Sequence, residues 1–252
     1  MKNIVYSTDQ IEDYFSKNRI TWDDFYKSER DIFDKLFLGK HLSVLDIGCG
    51  CGGLGLALKE RFGVSKYTGV EINQQATKTA KKLNPHAKIY EGDFLEVRKY
   101  QLGDQQFDVV FSLSCFDWNL EFSEMLNSAW THVAPGGNLV ATFRIVPGLG
   151  CDDMKSSYQY INYQGIKEGE IAAYVVLNTS DLFQKLLVLD PIKISAAGYF
   201  GPPSTTAITP YGELCFCAIS VTKRKHNDLG KVEFMLDLPG EILKALSTCV
   251  NE

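Results

Sequence analysis

Residues 44–55 read VLDIGCGCGGLG, with five glycines in the last eight positions. Glycine at that density permits a tight turn and lets the backbone approach a ligand closely. Two overlapping G-x-G-x-x-G matches start at Gly48 and Gly50. One group such a loop can cradle is a pyrophosphate at the head of the following helix. Asp46, at the end of the preceding apolar run, speaks against it, because a carboxylate there repels a phosphate and attracts a cationic amino group. Glu71 and Asp93 close two further short motifs, TGVEIN and EGDF. A strand-end acid beside a glycine loop has few reasons to be there other than ligand binding.

A glycine loop of this kind needs a strand before it and a helix after it. SVLDI is a short apolar strand, and LGLALKERFG is a helix closed by Gly63. KYTGVEI reads as a second strand. QQATKTAKKLNP reads as a helix with Ala76, Ala80 and Leu83 on one side and Pro85 beyond its end. AKIYEGD is a third strand, and FDVVFSLS a fourth whose unbroken apolar run suits a buried parallel strand. EFSEMLNSAWTHV sets Phe122, Leu126, Ala129, Trp130 and Val133 on one helical face, and PGG then turns into a fifth strand, NLVATFR. Repeated β-α units imply a parallel sheet with helices on both faces and a ligand crevice at the carboxyl ends of the strands. The loops after Ile47, Glu71, Asp93 and Ser112 should surround that crevice.

The flanks read differently. Residues 1–42 form an N-terminal helical cover, with capping boxes at Ser7/Gln10 and Thr21/Asp24. In TWDDFYKSERDIFDKLF, residues Trp22, Phe25, Glu29, Ile32, Phe33 and Leu36 share one face of a single expected helix. The main domain spans 43–225, with an irregular, Tyr-rich insertion at about 146–178. TSDLFQKLL is a helix, and PIKISAAGYF and ELCFCAISVTK are strands. Residues 226–252 form an appendage expected to pack outside the main sheet, with a helix starting after Pro239.

These motifs together resemble those of the class I S-adenosylmethionine-dependent methyltransferases. VLDIGCGCGGLG looks like the first motif of that family, and TGVEIN, EGDFLEV, FDVVFSLSCFDW and APGGNLV follow in its order and spacing over residues 43–145. S-adenosylmethionine carries an amino cation beside a sulfonium and no phosphate, which agrees with Asp46. The resemblance implies a Rossmann-like, seven-stranded, mostly parallel α/β sheet whose last strand, ELCFCAISVTK, runs antiparallel. It also implies that Asp46, Gly48, Gly50 and Gly52 hold the methionine part of the cofactor. Glu71 accepts from both ribose hydroxyls in this reading, Ile72 lies against the adenine, Asp93 accepts from its amino group, and Phe94 sits beside the ring. Ser112, with Leu113 and Ser114, lines the methyl-transfer side. Each of these residues has a plainer reading too: Asp93 as a helix cap, Ile72 and Phe94 as core.

Methyl transfer from a sulfonium is an in-line displacement in which the protein mainly aligns the partners, so no fixed catalytic set is required. Asp117 is the candidate base, or else caps the next segment. SCFDWN lacks the Asn/Asp-Pro-Pro-Tyr/Phe sequence seen in many family members that methylate nucleobases or amides. Trp118, Tyr158 and Tyr160 are candidates for the acceptor pocket, with Gln159 between the last two, and Tyr14, Arg19 and Tyr26 are candidates to meet the cofactor from the cover. His132 reads as a packing residue.

Of the 252 residues, 26 are basic and 31 acidic, interspersed, for a net charge of −5 and no basic footprint for nucleic acid. The seven cysteines show no metal-ligand spacing and suit free thiols in a reducing compartment. The N-terminal stretch lacks an apolar signal core and nothing approaches a membrane span. The expected protein is a cytoplasmic enzyme that methylates an O or N atom of a small polar metabolite. It is expected to use no metal and to engage neither nucleic acid nor membrane; its oligomeric state is open. A nicotinamide-dependent oxidoreductase and a non-catalytic cofactor-binding partner subunit remain as alternatives on the sequence alone.

Overall fold

The computed structural model describes residues 10–36, 41–120, 122–162 and 164–247. The glycine loop lies where the strand order of a large sheet reverses. Strand β1 (Ser43–Ile47) pairs in parallel with β2 (Lys66–Glu71) on one side and with β4 (Phe107–Ser112) on the other. Beyond β2 lies β3 (Lys88–Glu91), and beyond β4 lies β5 (Val133–Val146), both parallel. β1 and β4 are buried on both faces. Val44, Val109 and Phe111 enter one core layer, and Leu45, Ile47 and Val110 the other. The β-α units are completed by helices α3 (Gly53–Phe62), α4 (Gln74–Leu83), the single turn α5 (Phe94–Val97) and α6 (Phe122–Thr131).

On its other flank the sheet continues through the three strands β11 (Leu214–Lys223), β9 (Pro191–Gly201) and β12 (Glu233–Asp237). β11 runs antiparallel to both β5 and β9, as expected of ELCFCAISVTK. The sheet has nine strands rather than seven. One addition is the two-residue β8 (Leu177–Asn178) beside β5, which leads into α7 (Thr179–Val188). The other is β12, which corrects the expectation that the tail packs outside the sheet. Its alternate residues Phe234 and Leu236 reach the main core while Glu233, Met235 and Asp237 face out, so edge pairing buries apolar surface that an outlying tail would expose. Helix α8 (Gly240–Ser247) follows and packs on α7.

The insertion is more regular than its sequence suggests. β6 (Tyr158–Tyr160), β7 (Ile171–Ala173) and β10 (Ala207–Ile208) form a separate three-stranded antiparallel sheet. Strands of two or three residues are too short to display a period.

The cover consists of α1 (Gln10–Asn18), a 3-10 turn (Trp22–Asp24) and α2 (Lys27–Leu36). Ser7 of the first expected capping box lies outside the described residues. The second box is present: the backbone N–H groups of Ile20 and Thr21 donate to Oδ2 of Asp24 at 3.0 and 2.8 Å. The expected single helix is nevertheless broken. Phe25 is extended, and a fresh start follows in which the Tyr26 N–H donates to Glu29 Oε2 at 2.8 Å. α2 packs on β9 and β11, with Phe33 edge-on to Phe111 of β4 at 5.3 Å between centroids.

Candidate active site

A cavity of about 770 Å³ opens at the carboxyl ends of the central strands. Its floor is the glycine loop and the ends of β1, β2, β4 and β5. α1 covers one half and the small sheet the other. That volume lies within the range of small-molecule sites.

The loop is shaped by three glycines in the left-handed region, Gly48, Gly50 and Gly52, at φ +74°, +52° and +78°. Side chains rarely adopt such angles. At Gly48 a Cβ would also stand 2.7 Å from the Cys115 sulfur, so the backbone must be bare there.

Glu71 and Asp46 stand on either side of the loop. Glu71 Oε2 accepts from the Gly50 N–H at 2.8 Å and Oε1 from the Asn73 N–H at 2.7 Å. Burial pushes its carboxyl up, partly offset by those donors. A carboxylate has acceptor capacity beyond these donors, which is what a vicinal diol would need. Asp46 is buried, and Oδ2 accepts from the Tyr67 hydroxyl at 2.6 Å. Burial pushes its carboxyl up to about 7, against the Tyr67 hydrogen bond and the Arg19 charge.

Ile72, Asp93 and Phe94 line the same end. Asp93 is also the cap of α5, its Oδ1 accepting from the Leu95 N–H at 2.8 Å, so the cap and cavity readings hold together. Phe94 is buried against His132, whose Nδ1 lies 2.7 Å from the Gln105 carbonyl oxygen. Burial holds the His132 pKa down, and this histidine is outside the cavity lining.

Ser112 is a correction. As the last residue of β4 it turns into the buried interior, and Leu113 and Ser114 form the wall instead. Ser114, with φ +48°, donates its N–H to Thr142 Oγ1 at 2.6 Å.

Tyr14, Arg19 and Tyr26 all face the cavity. Arg19 is already engaged. One of its terminal nitrogens donates to both oxygens of the fully buried Glu29 at 2.9 and 3.0 Å, and its guanidinium lies over the rings of Phe25 and Tyr26. α1 rests directly on the loop, with Phe15 against Gly50.

The far half of the cavity is built around Asp117 and Arg144. Arg144 Nε pairs with Asp117 Oδ2 at 3.0 Å, and both side chains are about 95% buried. Arg144 also donates to the backbone carbonyls of Val175, at 3.2 Å, and of Asp117. Its guanidinium lies over the Tyr174 ring at 3.7 Å and the Trp118 ring at 4.9 Å. Asp117 Oδ1 has no hydrogen-bond partner among the described residues.

Trp118 lines the cavity as expected, whereas Tyr158 and Tyr160 do not. Alternation along β6 turns those two rings to the opposite face, where they meet edge-on at 5.7 Å, and points Gln159 inwards instead. Gln159 donates to Ser204 Oγ at 3.1 Å, which in turn lies 3.2 Å from Thr206 Oγ1. Arg144 and Tyr174 were missed in the sequence. The available signal was an arginine inside the apolar run ATFRIV, an expensive place for a charge without a partner. Among the described residues no cluster of His, Cys, Asp or Glu could hold a metal ion.

The chemistry of the lining fits S-adenosylmethionine: Glu71 offers two acceptor oxygens, Asp46 a buried acid, and the glycines a bare backbone between them. Residues 45–139 match the family model of a methyltransferase domain. The chain is 25% identical over 138 residues to malonyl-[acyl-carrier protein] O-methyltransferase 1 of Ilyobacter polytropus, covering 52% of this chain and 50% of that protein. It is 26% identical over 190 residues to the U6 snRNA methylphosphate capping enzyme Amus of Drosophila melanogaster, covering 66% of this chain and 62% of that one. The matches thus span roughly half to two thirds of these relatives. Among solved structures, phosphoethanolamine N-methyltransferase 2 of Haemonchus contortus, bound to S-adenosylhomocysteine, superposes with a TM-score of 0.58 at 14% identity. The superposition covers 85% of this chain and 57% of that one, and it shows the shared fold. Residues 45–139 thus carry a methyltransferase domain, and the chain around it has the Rossmann-like fold of the class I S-adenosylmethionine-dependent methyltransferases.

Proposed function

We propose that this protein transfers a methyl group from S-adenosylmethionine to an O or N atom of a small polar molecule. The observation that carries the reading is the continuity of one cavity from the glycine loop to the Asp117–Arg144 pair. When bound, the cofactor supplies an electrophilic methyl carbon and leaves as a neutral thioether. In this reading Asp46 takes the amino cation, Glu71 both ribose hydroxyls and Asp93 the adenine amino group, with Ile72 and Phe94 against the ring. Asp117 receives the hydrogen bond of the acceptor, and Trp118, Tyr174 and Gln159 wall its pocket. α1 and the small sheet exclude water and hold the partners in line.

A small acceptor, rather than a nucleic acid, is supported by the two covers and by the net charge of −5. The Amus relative is named for an RNA acceptor, so RNA belongs in the substrate screen. No helix among the described residues is long and apolar enough to cross a membrane. The free thiols of the described cysteines support a reducing, cytoplasmic setting.

The test is thermal unfolding with S-adenosylmethionine, S-adenosylhomocysteine and NAD. Either sulfur ligand at about 100 times its Kd should add roughly 2.7 kcal/mol. Stabilisation by NAD alone would overturn the reading.

A further inference from the structure

We propose that Arg144 is a positioning residue for methyl transfer, holding Asp117 so that one carboxylate oxygen stays free to take the proton of a hydroxyl or amine acceptor. The inference rests on the methyltransferase reading and extends it to the chemistry of the acceptor.

A buried arginine on a central strand needs a reason, because replacing such an ion pair with apolar residues is often neutral or stabilising. Here the guanidinium is fixed from four directions: the Tyr174 and Trp118 rings on its faces, and the Val175 and Asp117 carbonyls at its edge. Its Nε, whose one hydrogen goes to the Val175 carbonyl, stands 3.0 Å from Oδ2 of Asp117 as its charge partner and leaves Oδ1 buried without a hydrogen-bond partner, at a residue lining the acceptor half of the cavity. An unpaired buried carboxylate oxygen is costly and is satisfied by a donor on a ligand. An alcohol or amine brings that donor, whereas a carboxylate acceptor brings none.

As the new bond to the methyl carbon forms from the acceptor's lone pair, the acceptor's O–H or N–H proton passes to Oδ1. The electron pair of the broken S–C bond stays on sulfur, and the proton later leaves to solvent. Burial raises the Asp117 carboxyl and the Arg144 charge opposes that rise. The other titratable groups nearby are the Cys115 thiol on its own segment and the Tyr174 hydroxyl.

The test titrates Asp117 by carboxyl NMR without ligand, assigned by its loss in Asp117→Asn. Arg144→Gln should raise the midpoint by about one unit or more, and Arg144→Lys should restore part of the difference. With labelled S-adenosylmethionine and a panel of alcohols, phenols, amines and carboxylates, the acidic limb of kcat/KM should move with that midpoint. An unmoved midpoint in Arg144→Gln, or turnover confined to carboxylates, overturns the proposal. S-adenosylhomocysteine calorimetry on each variant separates the outcomes. Binding with an unmoved midpoint sinks only the role of Arg144, while no binding by the wild type sinks the methyltransferase reading itself.

Discussion

Tyr67 of β2 donates its hydroxyl to Oδ2 of Asp46 of β1 at 2.6 Å, inside the sheet and away from water. The register explains the reach. Tyr67 pairs with Val44, two residues before Asp46, so both side chains stand on one face. The hydrogen bond fixes an acid beside the loop, while burial discourages its charge.

The pH dependence of stability follows from that setting. The Asp46 carboxyl is pushed up to about 7 in the folded protein from an ordinary value of 3.8. The folded state therefore binds this proton more tightly than the unfolded chain does. The contribution to stability is full below about pH 4 and declines as pH rises through about 7. Asp46→Asn removes the decline. Urea unfolding should show the difference between wild type and variant changing by about 2–4 kcal/mol across that window in favour of the variant. A constant difference would mean that Asp46 ionises normally.

Glu71→Gln tests the ribose assignment with little change of shape. The loss of charge-assisted hydrogen bonds should weaken S-adenosylhomocysteine about 10- to 100-fold by calorimetry, with Glu71→Ala at least as severe. Because Glu71 also accepts from Gly50 and Asn73, both variants should lose about 1–2 kcal/mol of stability. Unchanged affinity in a folded variant would remove the assignment.

Gly53 lies under the cover. A Cβ there would stand 1.6 Å from the Arg19 carbonyl oxygen, a clash with main chain that no side-chain rotation relieves. Gly53→Ala should lift the segment after α1 off the loop. Hydrogen exchange should then accelerate in α1 while β1 and β4 keep their protection. Equal protection of α1 in the variant would show that the cover is not seated on the loop.

Glu29 and Arg19 form a second buried pair. Glu29→Gln leaves the guanidinium without its counter-charge and should cost about 3 kcal/mol in denaturant unfolding. The double variant Arg19→Gln/Glu29→Gln should recover much of that loss, a coupling read from the cycle. Additive losses would contradict the pairing.

Much of the glycine-loop end of the cavity was legible in the sequence because its signals are local. The glycines must sit at special backbone angles, and Asp46, Glu71 and Asp93 end strands that periodicity delimits. The far end of the cavity, around Asp117 and Arg144, was not legible to the same degree. Asp117 and Arg144 are far apart in sequence and become a pair only through the sheet. Tyr158 and Tyr160 have the chemistry of pocket residues, but their direction depends on the phase of a three-residue strand. Arg19 offered a free cation in the sequence, and only the fold reveals Glu29 against it. The tail failed for a related reason. EFMLD alternates too briefly to announce an edge strand, and its pairing with β9 is a tertiary matter.

The seating of α2 on β9 and β11 has a consequence for biosynthesis. Helix Lys27–Leu36 leaves the ribosome long before Pro191–Gly201 and Leu214–Lys223, the strands it rests on. At common translation rates the interval is on the order of ten seconds. Through that time Ile32 and Phe33 lack the part of their native surface that β9 and β11 supply, with Phe111 of β4 available to Phe33 earlier, and the helix is too short to persist alone. The cover is thus made before the strands it rests on, so the nascent chain completes its ligand chamber only once β9 and β11 have followed.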